Sequence, residues 1–354
     1  MQNTKYLGGL SLEEARQQVG DVTIHKMSSN ENPLGPSPNV IQAMAQAAQD
    51  CHRYPPRTDL QLRVALAAHH GHALTPDHFF TGNSGCEAIE FVYRQLVSAG
   101  DNVIVCSPTF GLYYRYNRQF GAETRDIPLL LPDFWLDVPN ILQAIDERTR
   151  LLVIINPNNP TGTLIAQAAY ETLLAQLPEH VTLIADEVYH HFVESAQLVD
   201  LLPRLKKQKN IVRIQSFSKA YGMGGLRLGY GIMHEAMAEK MRQLQRPFHI
   251  NAIAMQGALA ALEDADYIQA GVANNAAGRA YLCEQLERLD VRYWPSQTNF
   301  ILLQTRFPSG LMTDKLLQKG IMVRDPLDSM IPNCIRGTIG LPEENQAFIA
   351  ALEA

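Results

Sequence analysis

Lys219 stands in the stretch SFSKAYGMGGLRLGY, Ser216 to Tyr230, among small residues and hydroxyls, with Arg227 eight positions further on. No carboxylate is patterned as its partner. One reading of such a lysine is an exposed surface amine. The other is an amine held in a crevice, where burial and nearby cations lower its pKa and make it a nucleophile toward an aldehyde. Arg227 would then balance a phosphate dianion that the hydroxyls of Ser216 and Ser218 also contact. Three more stretches carry residues of similar reach. After VTLIADE, Asp186 and Tyr189 are three apart and can project into one crevice from a helical turn. An acid there also serves as a plain helix cap, and Glu187 as a first-turn charge favoured by the dipole. In NSGCEAIE, Ser84 and Gly85 precede a helix whose unpaired N–H groups suit an anion, although capping by Asn83 or Ser84 is the blander account. NPNNPTGT carries Asn158, Asn159 and Gly162 in a run for which a turn is sufficient reason.

Each of these stretches follows a short apolar run. FFTG at Phe79, DNVIVCSP at Asp101, LLVIINP at Leu151, VTLIADE at Val181, NIVRIQSF at Asn210 and LGYGIM at Leu228 alternate with helical patterns. Alternation of this kind predicts βαβ units and a mainly parallel sheet, with helices on both faces of its Val/Ile/Leu strands; the fold class is α/β. Open parallel sheets collect ligands beyond the carboxyl ends of their strands, where the four stretches lie. Ser37-Pro38 predicts a capped helix running to about Asp50. After Met233 come a long helical pattern from about Asn251 to Leu289, strand-like NFILLQT and IMVRD, and a closing helix from Glu343. That texture reads as a second, α+β lobe. A chain of 354 residues exceeds one ordinary core. The expected division is an N-terminal arm with part of the small domain at 1–35, a large domain at 36–250 and a small domain at 251–354.

Composition narrows the chemistry. Charged residues are 19% and apolar ones 46%, the profile of a soluble globular chain. A formal charge of −6 argues against nucleic acid and membrane partners, since phosphate backbones need clustered Lys and Arg. The one dense basic run, Arg204 to Lys209, reads as a solvated helix end. Cys51, Cys86, Cys106, Cys283 and Cys334 are scattered without CxxC spacing, so a reducing compartment fits better than a disulfide framework or a zinc site. The N-terminal stretch lacks an apolar core of signal-peptide length, and no segment approaches the ~20 apolar residues of a membrane helix; the expected location is cytoplasmic. The phosphate-loop pattern GxxxxGK[ST] is absent because Lys219 precedes its glycines, and Gly222 to Gly225 come too late in the chain for a dinucleotide fingerprint. His69, His70 and His72, like His190 and His191, lie on or beside helices without the carboxylate spacing that closes a coordination shell. They are expected to be solvated or capping, and no metal is expected.

A phosphate pocket, an aldehyde-seeking lysine and an acid at separate strand ends ask for one cofactor with a phosphate, an aldehyde and a basic ring nitrogen. Pyridoxal 5′-phosphate (PLP) has all three. The sequence resembles the class I/II aminotransferases of fold type I, and within them the histidinol-phosphate aminotransferase branch, over nearly the whole chain. SSNENPLGPSP, RYP, GNSGCEAIE, SPTFGLYY, NPNNPTGT, DEVYHHF, SFSKAYGMGGLRLGY, RPFHIN, PSQTNF, MVRD and IRGTIGLPEEN occur in family order. NPNNPTG with SFSKAYGMGGLRLGY is the most specific pair. The resemblance implies a PLP-binding domain with a mainly parallel seven-stranded sheet between helices, plus a smaller α+β domain.

It also implies roles. Lys219 would bond the cofactor and shuttle the proton between the substrate α-carbon and the cofactor C4′. Asp186 would keep the ring nitrogen protonated, Tyr189 and Asn159 would hydrogen-bond the phenolic oxygen, and Phe110 would stack on the ring. The phosphate would sit among the Gly85 and Cys86 N–H groups, Ser216, Ser218 and Arg227. Tyr54 would reach the phosphate in a neighbouring subunit, which implies a homodimer with shared sites. Arg336, with Arg324 as a second cation and Asn159 beside the substrate, would grip a carboxylate or phosphate bidentately, and Tyr6 in an N-terminal arm would cover it. The implied reaction moves an amino group between glutamate/2-oxoglutarate and a second amine, histidinol phosphate first. An aromatic or other L-amino acid, and a threonine-phosphate-type decarboxylation, are the alternatives. Three departures bear on the substrate and leave the catalytic groups in place: GNSGCE for GNG-S/A-x-E, Gln215 where the branch commonly has arginine, and His249 for the asparagine of PFNVN.

Overall fold

The computed structural model describes residues 9–326 and 331–353. Its strands in chain order are β1 (His25–Lys26), β2 (Phe79–Gly82), β3 (Asn102–Val105), β4 (Glu123–Asp126), β5 (Thr149–Ile155), β6 (Thr182–Asp186), β7 (Ile211–Ser216), β8 (Gly229–Met233), β9 (Phe300–Gln304), β10 (Ile321–Met322) and β11 (Cys334–Thr338). Among the described residues, seven of these form one sheet in the order β2-β8-β7-β6-β5-β3-β4. Neighbours run parallel except around β8, which is antiparallel to both β7 and β2.

Burial on both faces explains the unbroken apolar runs. In β6, Leu183 and Ala185 enter the core on one side of the sheet and Ile184 the core on the other. β5 divides in the same way, with Leu152 and Ile154 against Leu151, Val153 and Ile155, as a two-residue repeat requires. β4, with the sequence ETRD, has no apolar run to announce it. It lies at the sheet edge, where Arg125 pairs with Asp146 at 2.6 Å and with Glu123, and such charges discourage pairing with another chain.

The helix Pro38–Ala48 starts where Ser37-Pro38 predicts, with Ser37 Oγ accepting the Val40 N–H at 3.2 Å. The pattern expected as one helix from Asn251 to Leu289 is two, Ala252–Glu263 and Ala265–Arg288, broken at Asp264, whose φ of −103° and ψ of 58° leave the helical region. Asn251 caps the first of them, its Oδ1 accepting the Ala254 N–H at 2.8 Å. That helix packs against Pro38–Ala48 and buries Ala254, Met255 and Ala258 in the core beneath the large sheet. It therefore sits with the large unit, whereas a division at residue 250 assigns it to the small one. Helix Ala265–Arg288 and helix Pro342–Glu353 pack beside the antiparallel pair β9–β11, and Leu282, Leu286, Ile301, Leu303 and Phe348 form a separate core there. β1 pairs in parallel with β10 and Met27 joins this second core. Among the described residues, no helix is long and apolar enough to cross a membrane.

Candidate active site

β5 and β6 end level, Ile155 beside Asp186, and β7, whose Ile214 lies beside Asp186, runs two residues further to Ser216. Beyond these ends opens a cavity of about 330 Å³, lined by Lys219, Asp186, Asn159, Phe110, Arg227 and Arg336 among others. The eight-residue spacing of Lys219 and Arg227 now has a structural cause. Ser216 on β7 faces Gly229 on β8 in the antiparallel pair, so residues 217–228 form one loop that leaves and returns at the same place. Lys219 lies near its outgoing end and Arg227 near its returning end. The loop is closed by Gly222 N–H to Lys219 O at 3.0 Å and Met223 N–H to Phe217 O at 3.1 Å. Gly222 has φ +67°, and a Cβ there would lie 2.3 Å from Gly35 O, so the turn requires glycine.

Lys219 Nζ donates to Ser29 O at 3.1 Å and stands 5.7 Å from the centre of the Tyr189 ring. Burial first, then Arg336 and Arg227, lower its pKa to about 8 against the opposing pull of Glu31 and Cys86. Asp186 is buried at the end of β6. Tyr113 Oη donates to its Oδ2 at 2.8 Å and the Val188 N–H to its Oδ1 at 3.4 Å. Burial raises its pKa to about 6, against the pull of Tyr113, Val188 and Lys219. Tyr189 Oη accepts from Asn30 Nδ2 at 2.9 Å. Phe110 meets Tyr113 edge-on, with ring centres 6.4 Å apart.

The opposite end of the cavity suits an anion. Ser84 precedes helix Gly85–Leu96, whose first N–H groups have no partner within the helix. β8 passes so close that a Cβ on Gly229 would lie 2.2 Å from Gly85 N. The Ser218 N–H donates to Ser216 Oγ at 3.0 Å. Arg227, in the left-handed region at φ 55°, is exposed and donates through Nη1 to Gly224 O at 2.8 Å. Burial raises the Cys86 thiol pKa, so Cys86 stands there as a neutral thiol.

The departures from the family pattern have visible consequences. Exchange of Gly and Ser in GNSGCE leaves a serine, Ser84, at φ 90° and ψ 165°, backbone territory that favours glycine. Asn83 N–H donates to Glu87 Oε2 at 2.5 Å and Asn83 Nδ2 to His249 O at 3.1 Å. His249 Nε2 lies 3.1 Å from Thr81 Oγ1, which donates to Asp59 at 2.7 Å; His249 thus braces the wall behind the anion loop. Ile214 and Ser216 line the cavity, so Gln215 between them is directed to the other face of the sheet.

The second unit supplies two guanidinium groups. Arg336 on β11 donates through Nη1 to Asn159 Oδ1 at 2.6 Å and through Nη2 to Ser28 O at 3.0 Å, and lies over the Phe300 ring at 5.1 Å. Arg324 is its backbone partner, with N–H to carbonyl distances of 3.0 and 2.8 Å, and also lines the cavity.

The profile of the class I and II aminotransferases matches residues 22–352. The chain belongs to this family. It is 36% identical to histidinol-phosphate aminotransferase 2 of Carboxydothermus hydrogenoformans over 100% of its own length and 97% of that protein. It is 35% identical to the histidinol-phosphate aminotransferase of Halalkalibacterium halodurans over 98% and 93%. Among solved structures it is similar to the histidinol-phosphate aminotransferase of Sinorhizobium meliloti in complex with pyridoxal-5′-phosphate, with a TM-score of 0.88, 26% identity and coverage of 99% and 94%. A Thermus thermophilus aspartate aminotransferase mutant gives a TM-score of 0.82 at 25% identity, covering 98% of each chain. The mainly parallel sheet and its helices are thus those of the fold type I aminotransferases.

Of the aminotransferase residues expected from sequence, Lys219, Asp186, Tyr189, Asn159, Phe110, Gly85, Cys86, Ser216, Ser218, Arg227, Arg324 and Arg336 all border this one cavity. Tyr54 does not; it is 84% exposed and stacks on Phe248 at 4.9 Å. Tyr6 lies outside the described residues. Sequence reasoning missed Tyr113, the donor to Asp186, although SPTFGLYY places it three residues after Phe110 on one helical face. It also missed the contributions of Ser28 O, Ser29 O and Asn30 Nδ2, residues noted in the sequence only within the stretch SSNENPLGPSP.

Proposed function

We propose that this aminotransferase uses PLP to move an amino group between glutamate/2-oxoglutarate and histidinol phosphate/imidazole acetol phosphate. The cavity suits the cofactor: its donor set offers an amine, a buried carboxylate and an anion cradle to an aldehyde, a pyridine nitrogen and a phosphate respectively. The observation that carries the reading is Lys219, an amine of lowered pKa in the same cavity as Asp186 and Arg227. When bound, PLP supplies an electron sink for charge developing at the substrate α-carbon.

The chain's own residues do the rest. Asp186, held by Tyr113, keeps a proton on the pyridine nitrogen. Lys219 would bond the cofactor aldehyde and would move a proton between the substrate α-carbon and the cofactor C4′. Tyr189, aimed by Asn30, and Asn159, held by Arg336, hydrogen-bond the phenolic oxygen, while Phe110 covers a ring face. Gly85, Cys86, Ser216, Ser218 and Arg227 hold the cofactor phosphate. Arg336 and Arg324 take the oxyanion of the substrate, a place for the phosphate of histidinol phosphate.

The same proposal includes a cytoplasmic homodimer. Exposed Tyr54, together with exposed Leu60, Val64 and Phe248, supports an interface through which Tyr54 reaches the partner's anion cradle. It divides the chain into an arm with part of the small domain at 1–35, a large domain from 36 and a small domain to 354, with the second boundary at Asp264 rather than at 250. Purified enzyme is to be assayed with histidinol phosphate and with phenylalanine, each with 2-oxoglutarate. Glutamate formation at a kcat/KM far higher for histidinol phosphate is expected. Turnover of phenylalanine well above it, or carbon dioxide release without glutamate, overturns the substrate assignment.

A further inference from the structure

Five of the chain's 11 histidines gather on the face of the sheet opposite the active site. His69 and His70 end the helix Leu60–His70, His72 follows it, and His190 and His191 form the turn after Tyr189. Instead of being simply solvated or capping, they surround a cavity of about 430 Å³. His69 and His72 are exposed at its rim. His70, His190 and His191 are half-buried inside, with Arg213 of β7 buried among them. The rings are close: centres lie 5.3 Å apart for His69 and His70 and 3.7 Å for His190 and His191. His70 Nε2 is 2.9 Å from Tyr230 Oη and His69 Nε2 is 3.5 Å from Tyr221 Oη. His191 Nδ1 is buried without a hydrogen-bond partner.

The charges facing these rings are few. Arg213 is ion-paired with Glu187 at 2.6 Å, and Asp200 lies 3.7 Å from His72. Tyr221, Tyr230 and the nearby Tyr170 are phenols whose burial raises their pKa, and helix Ala265–Arg288 contributes only the neutral Gln269 to the polar lining. Burial, then Arg213 and the other histidines, lower His70 to about 2 and His191 to about 3. Burial, His191 and Arg213 hold His190 well below the ordinary range. At these values the rings are neutral and Arg213 is already paired with Glu187, so a ring that took up a proton would find little negative charge left to balance it. Among the described residues, no group of His, Cys, Asp or Glu is arranged to hold a metal ion.

We propose that this cavity is a second ligand site, for a small anion bearing phosphate or carboxylate groups, whose binding draws protons onto the histidine rings. The anion brings the counter-charge that protonated rings would otherwise lack. Each ring that gains a proton from solvent becomes a donor at both nitrogens, and the hydrogen bonds so formed are charge-assisted. The site shares a chain segment with the active site, since Asp186 and Tyr189 face one cavity while Glu187, His190 and His191 serve the other.

The test is calorimetric titration of the cofactor-loaded Arg336→Gln enzyme, in which anion binding at the substrate position is weakened. Inorganic phosphate and citrate are the separate probes, at pH 6 and pH 8 and in two buffers of different ionisation heat. One saturable site per chain is expected for at least one probe at pH 6. It should tighten by about tenfold per pH unit for each proton taken up, with heats that depend on the buffer. The phosphate and citrate arms tell which oxyanion chemistry the site prefers. His69→Gln/His191→Gln should weaken binding about tenfold or more, and the rim variant His72→Gln, which leaves the interior intact, should weaken it to a smaller degree. Absence of a saturable site for both probes at pH 6, equal affinity at pH 6 and 8, or undiminished binding in the histidine variants overturns the proposal.

Discussion

Asp186→Asn should stabilise the cofactor-free protein while destroying its function. Burial raises the Asp186 pKa from 3.8 to about 6. The folded chain thus keeps a proton on this carboxyl up to about pH 6, whereas the unfolded chain releases it near 3.8. Between those values the folded state binds more protons, so the group's contribution to stability falls as pH rises, and it is fully lost above about 6. A difference of about two pKa units corresponds to about 3 kcal/mol. Asparagine has no charge to desolvate, and Tyr113 can still donate to its amide oxygen. Without cofactor, the variant should exceed the native protein by about 2–3 kcal/mol at pH 7 and match it near pH 4. With PLP bound the order should reverse, because the carboxylate then has a cation beside it. Urea unfolding followed by fluorescence of the two tryptophans, Trp135 and Trp294, at pH 4 to 7.5 with and without PLP measures all four cases. Parallel pH profiles for the two cofactor-free proteins would refute the reasoning.

Capture of PLP by the cofactor-free protein should accelerate roughly tenfold from pH 7 to 9, as an amine with a pKa of about 8 loses its proton; Arg336→Gln should move that rise to higher pH, and a flat profile in stopped-flow absorbance counts against a reactive Lys219. Lys219→Ala should lower turnover by about 10²–10⁴-fold or more and leave no cofactor fixed by borohydride, and a variant that still fixes it on a peptide containing residue 219 is impossible, so fixation elsewhere would reassign the amine. Tyr113→Phe removes a hydrogen bond to a charged group worth about 1.5–3 kcal/mol, which strengthens proton binding by Asp186 about 10- to 150-fold; the acid limb of kcat against pH should move upward and PLP should bind more weakly, neither of which a packing role would produce. Ser84→Gly should raise the urea midpoint of the cofactor-free protein by the equivalent of about 1 kcal/mol, and a lower midpoint would show that φ 90° is not strained there.

The parts of the molecule legible in the sequence are those with a local signal. Six strands of the large sheet announce themselves because both faces are buried and each carries a short, largely apolar run. β4 does not, because a charged edge strand looks like a loop. β1, two residues long, is set by tertiary pairing with β10, the start of the strand-like IMVRD. Asp264 interrupts a helical pattern that periodicity cannot distinguish from one long helix. Within the site, Asp186 was visible at the end of a strand, Asn159 and Lys219 shortly after one, and Arg227 just before the next. Tyr113 was not, since it reaches Asp186 across 73 residues, and Ser29 contributes a backbone oxygen that carries no side-chain signature. The histidines appear in sequence as two unrelated groups, and only the packing of helix Leu60–His70 beside the turn after β6 unites them.

The alternation of β6 explains why one segment can serve two cavities. Asp186 and Glu187 are consecutive and leave the strand on opposite faces. Burial pushes both carboxyls upward, but the two faces resolve that strain differently. Glu187 has a permanent cation in Arg213 at 2.6 Å. The donors to Asp186 are the neutral Tyr113 hydroxyl and the Val188 N–H, so its full counter-charge arrives only with a protonated ring. A register slip of one residue would exchange the two acids and turn the arginine-paired one toward the active-site cavity. Adjacent strands stand about 4.8 Å apart, so β5, β6 and β7 together present their end loops over roughly 10 Å. The central strand then supplies the acid while its neighbours supply Asn159 and Lys219. The chemistry depends on β6 holding both its place in the sheet and its register.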